Sequence, residues 1–342
     1  MNEQECKEVI QLYGWNNASV TNINSGLINH TFKITSNEGV FILQEINTAI
    51  FQQPKWIDEN ICLIANYLQK TAPNYLFTVP IPNLNGDTIT FFNHHAFRAF
   101  LFQPNSHTYL VVQNENEALE ASKQFAQFTQ HLNSFNARKL HITLPHFHNL
   151  SLRFADFEKS LRENNSERLV LAAPAANALL KMNNIVNRYE AFIAHPDAMI
   201  RVMHHDTKIS NILFNEKGEG LCVIDLDTVM PGYLFSDPGD MFRTYLSPVS
   251  EEEADLSKIY IRKDIFEAIE KGYLGTIKSA LNSFEIDNFY LSGEILIYMQ
   301  AIRFLTDFLH NDRYYGEKYP NQNLVRAENQ LRLLELYQEA IC

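Results

Sequence analysis

The chain has 342 residues, 46% of them hydrophobic and 12% aromatic, which is enough apolar material for two packed lobes and excludes global disorder. Its formal net charge is −12 and it carries no Lys/Arg cluster, which argues against nucleic acid as a partner. Cys6, Cys62, Cys222 and Cys342 are scattered without a C-x-x-C pair, and the sequence has neither a basic-then-apolar leader nor a run of about 18 apolar residues; the expectation is a cytoplasmic protein with no disulfide framework, zinc ribbon or membrane partner.

Residues 3–13 read as a short amphipathic helix ending at Gly14. A strand over Val20 to Ile23, a turn at Asn24-Ser25-Gly26 and a returning strand over Thr31 to Thr35 follow. A second turn, Asn37-Glu38-Gly39, leads to a third strand, Val40 to Leu43. Ile57, Ile61, Ile64, Ala65 and Leu68 then recur at helical spacing. Thr78-Val79-Pro80, Gly86 to Phe92 and Phe97 to Phe102 return to strand. The order resembles a small five-stranded antiparallel lobe with one helix. Past the hinge candidate at residues 103–108 the character changes, which places a boundary between a lobe of residues 1–104 and one of 105–342. Residues 116–133, 151–163, 169–195, 263–284, 287–310 and 324–341 read as helices. One non-helical island, residues 200–235, interrupts them with three short apolar strands, 200–203, 212–214 and 221–224. Asn215-Glu216-Lys217-Gly218 joins the last two.

The island carries the polar constellation. It reads His204-His205-Asp206-Thr207-Lys208-Ile209-Ser210-Asn211, then a hairpin, then Val223-Ile224-Asp225-Leu226-Asp227. Phosphoryl transfer from ATP needs a carboxylate to take the proton of the attacking hydroxyl. It also needs oxygen ligands to hold Mg²⁺ on the phosphates. Asp206 and Asn211 match H-x-D-x-x-x-x-N spacing, and one hairpin later a strand delivers Asp225. The expected architecture is therefore α+β and protein-kinase-like, with two lobes and the chemistry between them.

The chain resembles the aminoglycoside phosphotransferase/choline kinase-like family and, within it, the N-acetylhexosamine 1-kinases. The likeness lies in Gly26 to Phe32, Phe41 to Asn47, His205 to Lys208, Val223 to Gly232 and Ile302 to Asp307. It implies Asp206 as base, Lys208 on the γ-phosphate, and Asn211, Asp225 and possible further ligand Asp227 on Mg²⁺. It also implies Gly26 over the nucleotide phosphates, Gln44 where a protein kinase carries a strand lysine, and Phe100 to Gln103, with Phe102, along the adenine. Asn29, His30, Arg303, Asp307 and Tyr314 or Tyr315 are implied at the acceptor, and Asp240 in a structural role. Glu59 is the candidate helix glutamate. The implied reaction moves the γ-phosphoryl of ATP to the anomeric hydroxyl of an N-acetylhexosamine. A kinase of choline, homoserine or an aminoglycoside, a nucleotide-binding pseudokinase, and a metal-dependent hydrolase using His204, His205, Asp206 and Asp225 are the alternatives.

Overall fold

A computed structural model describes residues 3–23, 28–163 and 167–342. Its smaller part is a five-stranded antiparallel sheet in the order β1-β2-β3-β5-β4, made of β1 (Ser19–Ile23), β2 (His30–Ser36), β3 (Gly39–Ile46), β4 (Thr90–Phe92) and β5 (His95–Leu101). Successive strand residues point to opposite faces, so the sheet has two different surfaces. Ile34, Phe41, Leu43, Phe97 and Ala99 form one, buried against α1 (Glu3–Leu12) and Trp15. Trp15 stacks on Phe41 and Tyr13 at 4.3 and 4.7 Å between ring centroids. The other face takes the longer helix of this lobe, α2 (Pro54–Thr71). Ile57, Ile61 and Ile64 of that helix pack with Ile46 and Ala96 of the sheet.

The larger part is helical: α3 (Glu115–His131), α4 (Leu150–Glu163), α5 (Glu167–Lys181), α6 (Asn184–Ala194), α7 (Ser236–Tyr245), α8 (Lys263–Ile277), α9 (Ser283–Asp287), α10 (Leu291–Leu309) and α11 (Gln322–Ile341). Ile295, Ile297, Ile302, Phe304, Leu305 and Phe308 point α10 inward on nearly every side. A helix apolar around most of its circumference has to be central, and α10 packs against α4, α5, α7 and α11. Two small sheets lie beside this bundle. One orders β6 (Ser106–His107), β8 (Ile212–Asn215) and β9 (Gly220–Val223); the other pairs β7 (Ile200–Met203) with β10 (Met230–Tyr233).

Several elements differ from the sequence expectation: Thr78-Val79-Pro80 forms no strand, and the helix expected over 263–284 stops at Ile277 in α8, with α9 starting afresh at Ser283. The helix expected over 169–195 is two helices bent by 47°, with short i→i+3 bonds from Met182 and Asn183 tightening the break. The strand β10 and the helix α7 were not anticipated. Pro238 sits in the first turn of α7, where an amide has no partner inside the helix. Gly239 lets α7 approach α10: a Cβ there would lie 2.4 Å from the Ser292 carbonyl oxygen. Among the described residues no single helix is long and apolar enough to cross a membrane, and the bent α5–α6 pair passes only on length and composition.

Candidate active site

The loop after β7 is held by α7. The amides of His204 and His205 donate to the two oxygens of Asp237 at 3.1 and 2.8 Å, and the Thr207 amide donates to Asp240 at 2.8 Å. Thr207 Oγ1 donates to the Asp237 carbonyl, and the Tyr245 hydroxyl to the Thr207 carbonyl. A short loop tied at this many points, with His205 in the left-handed region at φ 67°, fixes the direction of Asp206 between them. Asp240 is further paired with Arg243 at 2.8 Å, which agrees with a structural role.

Asp206 is contacted by two side chains of its own loop. Lys208 Nζ lies 3.0 Å from Oδ1, and Asn211 Nδ2 donates to Oδ2 at 3.0 Å and to the Asp206 carbonyl at 2.9 Å. Burial pushes this carboxyl up, but the Lys208 charge and hydrogen bond outweigh it and hold it below its ordinary value. An ionised carboxylate is the form a proton acceptor needs. Reciprocally, Asp206 raises Lys208 against the opposing effect of burial. Both Asn211 contacts use its amide nitrogen, so they leave its oxygen, the atom a cation would take.

Asp225 enters from the far side, at the end of β9, with φ 58° and ψ 60°. A non-glycine residue in that region is strained, and such strain gathers at functional sites. Burial first, then Asp227 and Asp206, push its carboxyl up to about 7. Asp206, Lys208, Asn211 and Asp225 together line one cavity of about 330 Å³ between the loop and the five-stranded sheet.

The opposite wall is the sheet. Cross-strand register puts Ile23, Thr31, Gln44 and Arg98 in one row across β1, β2, β3 and β5, and all four line the cavity. The next row on that face holds Ile42 and Phe100. Leu101, Phe102 and Gln103 continue the lining into the connection between lobes, where the expected adenine segment runs. Lys33 Nζ lies 4.1 Å over the Phe102 ring. Gln44 donates to Thr31 Oγ1 at 3.2 Å and accepts from Arg98 Nε at 3.1 Å. Glu59 points elsewhere and contacts His141 at 2.6 Å, so no glutamate of α2 pairs with the β3 position. Gly26 lies outside the described residues.

Several expected site residues have other partners. Asp227 is 2% exposed; it is ion-paired with Arg98, and its Oδ2 accepts from Asn29 Nδ2 at 2.7 Å. Its two oxygens thus face side chains of the sheet lobe, one in an ion pair and one in a hydrogen bond, and the expected role as a further Mg²⁺ ligand would compete with these contacts. Asn29 also accepts from the Asn47 amide at 3.0 Å, so it links the lobes, although it lines the cavity. His30 is exposed at the start of β2 and does not line it.

Arg303 and Asp307 share a face of α10 but do not pair. Asp307 accepts from the Tyr314 and Tyr315 amides at 2.8 and 2.9 Å and from Asn323 at 3.2 Å. It is buried and fastens the loop after α10 rather than presenting a carboxylate to an acceptor. Arg303 donates to Gln300 and lies 5.6 to 5.9 Å from the rings of Phe147, Tyr314 and Tyr315. These side chains are not among those lining the cavity that holds Asp206. A charged chain connects the two: Asp240, Arg243, Glu251 and Arg326 are paired in succession, and Arg326 stacks 3.7 Å over Phe304 and 5.0 Å over Tyr315.

His204 and His205 are not a metal pair. His204 contacts the Ile224 carbonyl at 2.9 Å, and His205 contacts Ser236 Oγ at 2.6 Å. Burial, with His204 beside it, lowers His205 to about 3, so it stays neutral. Among the described residues no group of three or more His, Cys, Asp or Glu side chains is arranged to hold a metal ion by itself. Mg²⁺ needs no such cage, because it is bound through one or two carboxylates plus phosphate oxygens and water. The raised carboxyl of Asp225 and the oxygen of Asn211 fit that donor set.

The family model described as "Phosphotransferase enzyme family" matches residues 19–262. The chain belongs to this family and is a phosphotransferase. Among solved structures it is similar to a microcompartment-associated aminopropanol kinase, at 16% identity and a TM-score of 0.67 over 99% of this chain and 98% of that one. It is also similar to a spectinomycin phosphotransferase in complex with ADP and spectinomycin, at 11% identity and 0.64 over 99% of both chains. A third is an ethanolamine kinase of Plasmodium vivax, at 15% identity and 0.61 over 96% and 90%. At these identities the likeness is one of fold, and it agrees with the protein-kinase-like architecture.

Arg98 was missed in the sequence. Its signal was present, however: a lone arginine inside the apolar run His95-Ala96-Phe97-Arg98-Ala99-Phe100 is a charge that alternation buries, and buried charges have partners.

Proposed function

We propose that the protein transfers the γ-phosphoryl group of ATP to a hydroxyl of a small molecule, and that the acceptor is the anomeric hydroxyl of an N-acetylhexosamine. One observation carries the first part: Asp206, Asn211 and Asp225 line a single cavity with Lys208 and the sheet wall. In this reading Asp206 takes the hydroxyl proton. Asn211 and Asp225 hold Mg²⁺, which when bound neutralises charge on the phosphates. Lys208 accompanies the γ-phosphoryl group, and Phe100 to Gln103 meet the adenine.

The acceptor assignment rests on the stretches named above together with the character of the wall around Arg303. Asp240, Glu251 and Asp307 are each occupied by arginines or amides. That leaves a guanidinium framed by Phe147, Tyr314 and Tyr315, a surface suited to neutral hydroxyl and acetamido groups more than to an ammonium. The test is a coupled ADP-release assay with ATP, Mg²⁺ and a panel of N-acetylglucosamine, N-acetylgalactosamine, choline, homoserine and an aminoglycoside. Release confined to the N-acetylhexosamines, with product resistant to reducing-end labelling, supports the proposal. Release with choline or the aminoglycoside alone overturns the acceptor, and ATP binding without turnover on any acceptor overturns the kinase.

A further inference from the structure

The sheet wall of the cavity poses an electrostatic problem. Three carboxylates, Asp206, Asp225 and Asp227, stand at or beside the place where a polyphosphate would lie, and β3 offers Gln44 instead of a cation. Lys208 is engaged by Asp206 on the opposite side. Among the described residues lining the cavity, Arg98 and Lys208 are the only lysine or arginine side chains, and Arg98 alone belongs to the sheet.

Arg98 is 1% exposed, so its charge is screened little by water. Its Nε is used by Gln44 and its Nη2 by Asp227, while Nη1 has no hydrogen-bond partner. Leaving a buried guanidinium donor unsatisfied is costly, and here that donor belongs to a residue of the cavity wall. Gln44 lies directly opposite Arg98 in the β3–β5 ladder, so β5 brings a cation to the same row of the sheet, one strand over.

We propose that Arg98 binds a phosphate oxygen of the nucleotide through its Nη1 edge while Asp227 and Gln44 hold its other edges. It thereby supplies from β5 the phosphate-binding cation that β3 lacks. The assignment rests on the nucleotide-binding reading of this cavity. In the alternative, Arg98 is only a strut joining the sheet to Asp227.

Nucleotide titration calorimetry on the full chain separates the two roles, using Mg-ADP and adenosine as probes. Phosphate contact predicts that Arg98→Gln weakens Mg-ADP by ~10- to 100-fold, the range for a charge-assisted hydrogen bond, and adenosine by about threefold or less. Placing Gln44→Lys on the Arg98→Gln background restores most of the lost Mg-ADP affinity. Because Arg98→Gln leaves Asp227 buried and unpaired, the double variant Arg98→Gln/Asp227→Asn is the safeguard for folding, and it shows the same selective loss. Equal weakening of Mg-ADP and adenosine in the double variant, or no change in either, overturns the proposal. Failure of the unaltered protein to bind either probe overturns the nucleotide reading and this proposal with it.

Discussion

Asp206 and Arg98 line the same cavity, yet they are placed by different means. Asp206 is aimed by a neighbour five residues along and by a loop whose amides are pinned to the next helix. Arg98 is aimed by a residue 54 positions away, through strand register, and by an aspartate from the other lobe. The loop after β7 is a local device, so its residues come in a readable spacing. The sheet wall is a non-local device, in which a one-residue slip of register would send the whole row to the opposite face. Loss of function in the loop should therefore trace to single side chains, and loss in the wall to pairs.

Replacing Asp206 by Asn is the sharpest test of the loop. It removes the proposed proton acceptor while keeping the shape, and kcat should fall by ~10²- to 10⁴-fold with nucleotide affinity nearly unchanged. A fall in nucleotide affinity comparable to that in kcat would show that Asp206 organises the cavity as a whole.

Gly232→Ala tests how far the loop depends on its packing. A Cβ at Gly232 would lie 2.3 Å from His205 Cε1 and 2.6 Å from Nε2. Overpacking should cost ~1–3 kcal/mol, visible as a lower denaturant midpoint at unchanged m. Because His205 precedes Asp206, the proposed base, activity should fall further than the folded fraction does.

Asp307→Ala removes the acceptor of the Tyr314, Tyr315 and Asn323 contacts. The expected cost is ~1–3 kcal/mol for buried donors left unmatched, read by thermal denaturation, together with an acceptor KM that rises more than kcat falls. A change in kcat alone would place Asp307 nearer the chemistry than its partners indicate.

The smallest effect concerns pH. Asp225 is pushed up to about 7 by burial and by Asp227 and Asp206, against Arg98 and Lys208, so below that pH a proton competes with Mg²⁺ for the carboxylate. Affinity for Mg-nucleotide should rise by about tenfold between pH 6 and 8 and then level off. Calorimetry in buffers of different ionisation enthalpy should show proton release on binding near neutrality, and that release should disappear in Asp225→Asn. Affinity falling with rising pH would reverse the assignment.

The amino-acid sequence by itself determined the alternation that makes the five-stranded lobe, the helical spacing of α2, α3 and α11, and the convergence of Asp206, Asn211 and Asp225, because each is a short-range pattern. Tertiary structure decided what the remaining polar residues do. Asp307 and Asp227 are carboxylates that look available in the sequence and are occupied in the fold. Pro238 and Gly239 belong to the start of α7, because one lies in the first turn and the other permits close approach to α10. Arg98 is legible as a buried charge but not as a cavity residue, since its partners Gln44 and Asp227 reach it only through strand pairing and lobe contact. A side chain's chemical type is local information, whereas its unused hydrogen-bonding capacity depends on every element packed around it.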